Sequence, residues 1–218
     1  MAIQFQGSSG TVAEVSGTTH RAMRTEARPL DYGALGQYRL SMLSGTMAAG
    51  LAANSEIFQF RWTDATRLGA VHLVTLDGLS GSATAFTAGF GKVDLLAARS
   101  FTAAGTGGTA ATITTNNGKL RTSMGTTLLG EIRCASTAAL TAGTKTLDAQ
   151  AMGQLSLTFG TATSVQYASQ VVLLGGDDSP PHPLILTQNE GFAVRATVPA
   201  TGTWQFGITV HWTELTAY

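Results

Sequence analysis

Charge is what this sequence has least of. Only 12% of its 218 residues are Asp, Glu, Lys or Arg, about half the roughly 25% usual in globular chains. Thirteen cations balance thirteen anions, so the formal net charge is zero. A lone soluble monomer ordinarily relies on a charged surface to resist association. Its lack here implies that partners cover much of the surface. The same scarcity argues against nucleic acid, because neutralising phosphates takes a concentrated basic face. The arginines are scattered, and the one local excess, Arg21, Arg24 and Arg28, is interrupted by Glu26.

Other absences narrow the class further. Cys134 is the only cysteine, so no disulfide forms within the chain. There is no run of about 18 apolar residues to cross a membrane as a helix, and Met1–Gln6 does not read as a signal peptide. Five prolines are too few for a proline-rich disordered chain. No fixed-period repeat marks a propeller or solenoid, and no segment has the spacing of an amphipathic helix.

Small and β-branched residues take the place of charge: 26 Gly and 33 Thr. Thr suits the pleated surface of a strand and Gly the tight turn, so the pair describes many strands joined by turns. Residues 1–35 read as an extended N-terminal arm, in which Gly7–Gly10 is flexible and Thr11–Val15 is a short extended piece. From Gly36 the period becomes two. Tyr38, Leu40 and Met42 share a face, as do Phe58, Phe60 and Trp62. Leu68–Leu76 reads as a buried strand, Phe86–Ala98 as one kinked at Gly89 and Gly91, and Leu128–Cys134, Leu155–Phe159, Val165–Leu174 and Leu184–Leu186 as further strands. Gly191–Val198 and Thr203–Glu214 give the clearest alternation, and the turn Pro199–Gly202 between them predicts a hairpin. Thr102–Met124 is rich in Gly and Thr with few large apolar residues, and reads as a long inserted loop that leaves the core to touch a neighbouring chain. Lys119 and Arg121 would then pair with acidic groups on that neighbour. The expected fold is all-β: a jelly-roll-like antiparallel sandwich over residues 36–218, with long loops and the arm appended.

Four stretches, RLSMLSGTMAAGLAANSEIFQFRW (39–62), LLAARSFTAAGTGGTAATITTNNGKLRTSM (95–124), AALTAGTKTLDA (138–149) and LILTQNEGFAVRATV (184–198), carry a resemblance to small virion structural proteins of tailed bacteriophages. The resemblance lies in overall pattern and brings no catalytic motif. It implies a virion location and a structural role, foremost that of a capsid decoration or cement protein bound to the major capsid protein. A tail, baseplate or fibre (receptor-binding) component is the alternative. Low charge, together with common practice among such proteins, suggests a homotrimer.

The residues suited to chemistry form no constellation. His20, His72, His182 and His211 are too far apart in sequence for local zinc spacing. Asp177, Asp178 and His182 are the nearest thing to a ligand cluster, but the alternating acids of a Ca²⁺ loop are missing. Gly78–Ser82 has Ser where a nucleophile elbow needs its second Gly, and no helix follows. Gly105–Gly108 lacks the Lys of a phosphate loop. Cys134 reads as a buried apolar residue. Trp62, Trp204 and Trp212 fall on apolar faces and read as core; exposed, they would instead form a platform for a carbohydrate-binding or carbohydrate-active module. The expectation is therefore no enzyme, no catalytic residues, no metal and no cofactor.

Overall fold

The computed structural model describes residues 4–6, 12–14, 35–48, 50–115, 117–163, 165–175 and 182–216. The chain divides into two units, Met1–Leu30 and Asp31–Tyr218. In the first, β1 (Gln4–Gln6) and β2 (Val12–Glu14) pair antiparallel. The rest of the expected arm lies outside the described residues.

The second unit carries β3 (Gly36–Leu43), β4 (Ser55–Trp62), β5 (Leu68–Gly81), β6 (Gly89–Ala103), β7 (Thr109–Ala110), β8 (Gly130–Cys134) and β9 (Thr144–Leu147). It continues with β10 (Gly153–Phe159), β11 (Gln166–Ala168), β12 (Val171–Leu174), β13 (Leu184–Leu186), β14 (Gly191–Thr197) and β15 (Trp204–Leu215). No helix occurs among the described residues, so none is long and apolar enough to cross a membrane. One sheet runs β3–β15–β5, and the far edge of β5 is tiled by β13, β12 and β11 in turn. The other runs β10–β6–β14–β4–β8–β7, with β9 continuing the edge of β6 beyond β10. All pairings are antiparallel.

The order of these strands defines the architecture. Let β11, β12 and β13 count as one interrupted strand, and β7, β8 and β9 as additions. Eight strands then remain, and numbered along the chain the sheets read 1-8-3-6 and 2-7-4-5. This is the jelly roll, in which nearly every connection crosses from one sheet to the other. It matches the expected fold class and corrects one expectation within it. β14 and β15 are not a hairpin: β14 lies between β4 and β6, while β15 lies between β3 and β5 in the opposite sheet. A short turn and two alternating strands look the same in sequence whether the chain folds back within a sheet or arches across the core.

The core lies between the sheets. Phe58, Phe60 and Trp62 of β4 face Trp204, Phe206, Ile208, Val210 and Trp212 of β15, and all are buried. Phe60 stacks on Phe192 with centroids 5.3 Å apart and meets Trp212 edge-on at 5.5 Å. The three tryptophans are thus core, not an exposed platform.

Thr102–Met124 also departs from expectation. It turns back onto its own domain: Ile113 and Met124 are buried in the core cluster, and Gly118 and Leu120 bond to β3. Two of its glycines serve close packing. A Cβ on Gly105 would run into the Thr141 carbonyl, and Gly108, at φ +59°, lies against the carbonyl of Cys134. Lys119 is likewise committed within the chain, donating to the carbonyls of Thr122 and Met124 at 2.9 Å each.

Candidate functional surface

Three places on the second unit concentrate polar or exposed groups. The first is the outer face of the β3–β15–β5 sheet. Period-two alternation that sends Trp212 and Val210 inward sends Thr213, His211 and Thr209 outward. A register shift between β15 and β5 beside His211 then brings His72 next to it. The imidazoles stand 5.6 Å apart, His72 Nε2 lies 2.7 Å from Thr213 Oγ1, and His211 Nε2 lies 3.2 Å from Gln37 Nε2. Burial, and then the neighbouring His211, pushes His72 down to about 4. Burial and the Arg39 guanidinium lower His211 as well. Both rings are therefore neutral at pH 7.

Further along this face Asp77 collects hydroxyls. Thr75 Oγ1 donates to it at 2.6 Å, Thr209 Oγ1 donates to its other oxygen, and Gln170 Nε2 reaches it at 3.2 Å. Each acceptor here is satisfied by the chain itself. The network stiffens the face rather than presenting unmet groups to a ligand.

The second place is a groove of about 380 Å³ lined by Arg61, Ala103, Thr106, Ala111, Glu131 and Arg133, among others. Its charges are spent locally. Arg61 donates to Glu131 at 2.8 Å, to Asn189 Oδ1 at 2.9 Å and to the Phe101 carbonyl at 2.5 Å. Arg133 donates to the Gly107 carbonyl at 3.1 Å. Beside it, under the segments 104–106 and 139–145, lies a buried ion pair that no spacing in the sequence announces. Lys145 Nζ sits 2.8 Å from Glu56 Oε2, which also accepts from Gln59 at 2.6 Å. Gln59 in turn holds the Gly105 amide and the Thr141 carbonyl, each at 2.8 Å.

The third is a scatter of exposed apolar side chains: Leu43, Phe90, Leu120, Met152 and Val172.

The residues singled out in sequence fare as follows. His20, Asp177 and Asp178 lie outside the described residues, and His182 is exposed beside the carbonyl of Pro183. Gly78–Ser82 is extended chain in and just after β5, without the geometry of an elbow. Cys134 is buried, and desolvation pushes its thiol up to about 12. Among the described residues no three His, Cys, Asp or Glu side chains gather to hold a metal. The His72–His211 pair was hidden in the sequence because the two residues lie on different strands. Only the strand register makes them neighbours.

Compared with known protein families and with curated proteins, the chain matches no family model and no curated protein. The strand order thus defines a class, the jelly-roll sandwich, and among the described residues several surface charges are held in ion pairs within the chain.

Proposed function

We propose that this chain is a structural protein of a tailed-bacteriophage virion: a decoration protein that docks on the capsid and stabilises the shell of major capsid protein. The observation that carries the reading is the economy of charge on a rigid jelly roll. Many of the charged groups outside the core are tied to partners within the chain, as with Arg61–Glu131, Arg67–Glu214 and Arg99 with Asp148 and Glu190. Among the described residues the surface also presents single exposed apolar side chains, Leu43, Phe90, Leu120, Met152 and Val172. Such a surface suits broad contact with a large, fixed partner better than recognition of a small charged ligand. Many copies on one shell add up, and each contact that binds only the assembled lattice raises the cost of releasing a capsomer. The resemblance of residues 39–62, 95–124, 138–149 and 184–198 to virion proteins points the same way.

The test uses particles that lack this protein. Purified chain added to them should co-sediment with the heads and raise the temperature at which they release DNA. Binding confined to tails, or no binding, would overturn the proposal.

A further inference from the structure

A jelly roll has exposed strand edges, and an edge with unpaired N–H and C=O groups templates pairing with another chain unless something blunts it. Three of the four edges here are blunted. Along β3, Arg39 N donates to the Gly118 carbonyl at 2.8 Å, and Leu120 N donates to the Gln37 carbonyl at 3.1 Å. The β11–β12–β13 edge is broken into short pieces, with register shifts in β11 and β12. The β7 edge is two residues long and borders Arg133 and Glu131.

The fourth edge, β10, is neither covered along its length nor broken, and the charges on its neighbour β6, Lys92 opposite Ser156 and Asp94 opposite Gln154, are paired with each other at 2.5 Å. It pairs with β6 in unbroken register from Gly153↔Leu95 to Phe159↔Gly89, and no strand pairs its other side among the described residues. No charged residue occurs from Ala149 to Gly176, a stretch of 28 residues that contains β10, β11 and β12. Gln154, Ser156 and Thr158 are exposed. Three exposed apolar side chains border the edge. Phe90, 87% exposed, pairs across with Thr158; Met152, 40% exposed, immediately precedes the strand; and Val172, 48% exposed, stands in β12. The carbonyl of Leu173 closes the Gly153 end and Tyr167 of β11 packs on Phe159 at the other, which leaves the stretch about Ser156 without a paired strand on its outer side among the described residues.

We propose that this open edge of β10 pairs antiparallel with the same edge of a second copy of the chain, across a two-fold axis at Ser156. The surface itself selects the partner. The strand itself carries no charge and the Lys92–Asp94 pair beside it is internally neutralised, so the edge offers a charged partner little to recognise, whereas a neutral chain meets no long-range repulsion from its own copy. The strand is also self-complementary. About Ser156, Gln154 falls opposite Thr158 and Leu155 opposite Leu157, so outward residues meet outward ones and inward residues meet inward ones. The row Phe90–Thr158 then continues onto Gln154 of the second copy, which gives the exposed Phe90 a neighbour. This inference does not depend on the virion reading, and it favours a dimer over the trimer expected from sequence.

Sedimentation of the full chain tests it. Wild type should run as a dimer that dissociates on dilution. Ser156→Lys and Ser156→Glu place like charges across the axis, and each should weaken the dimer at least tenfold while keeping the wild-type melting temperature of the monomer. An equimolar mixture of the two should dimerise again. If either variant at Ser156 fails to fold, the double variant Gln154→Lys with Thr158→Lys serves instead, because it sets a lysine of each copy opposite a lysine of the other. A wild-type monomer at all concentrations, a wild-type trimer, or variants that associate like wild type would each overturn the proposal.

Discussion

His72 and His211 show how much a single side chain's surroundings change what it does. Each imidazole is held below its ordinary range, chiefly because the outer face of the sheet removes it from water. A histidine whose folded pKa is depressed contributes stability that is fully present above its unfolded value of about 6.5. That contribution is lost as the pH falls toward the folded value, which for His72 is about 4. Glu214 runs the other way, since burial raises its carboxyl and favours folding at lower pH. The expected result is a melting temperature that declines from pH 6.5 to 5, with His72→Gln flattening the slope; equal slopes in both proteins would show that His72 is not responsible. The Glu56–Lys145 pair makes a second residue-scale prediction. Both side chains are nearly water-free, so Lys145→Met leaves a buried carboxylate without its cation. Removing one partner of such a pair costs about 3–5 kcal/mol, readable as a fall in the urea midpoint. Cys134, buried with its thiol pushed up to about 12, should resist thiol reagents in the native protein and react on unfolding.

At the scale of elements, β15 is the strand on which the sandwich depends, because it sits between β3 and β5 and lays five large side chains on the core. Phe206→Ala should cost about 3–5 kcal/mol; a loss below about 1 kcal/mol in denaturant titration would contradict that burial. Thr102–Met124 should behave as part of the fold. Ile113→Ala should lower stability by about 2–4 kcal/mol, and replacing the whole segment with a short Gly/Ser linker should depress the melting temperature. These two elements also mark how far the sequence could be read. Strands such as β4 and β15 were legible, since a strand with one face in the core must alternate and theirs does. The Gly-rich segment was not. Gly105 and Gly108 have no side chain to report what they touch, so their approach to Thr141 and Cys134 reads in sequence as looseness. Nor could the sheet assignment of β14 be read, because alternation identifies a strand and not its neighbours. The Glu56–Gln59–Lys145 knot was hidden for the same reason: residue 145 meets residue 56 only after β9 has been laid against β6.

At the largest scale, the second unit joins an aromatic-rich core to a surface on which several described charges are paired within the chain, and the longest uncharged stretch of sequence, residues 149–176, supplies the strand at one sheet edge. The two proposals use these features separately: the edge for a second copy, the wider surface for a large partner. Decoration of a shell by dimers would place them at two-fold positions, where the symmetry of the pair matches that of the lattice. The most direct measurement is an electron cryomicroscopy reconstruction of the virion at a resolution that resolves sheets. The account predicts jelly-roll density of this size on the outer face of the capsid, seated across the junctions between major capsid subunits. Density for the chain only in the tail, or nowhere on the particle, would contradict it.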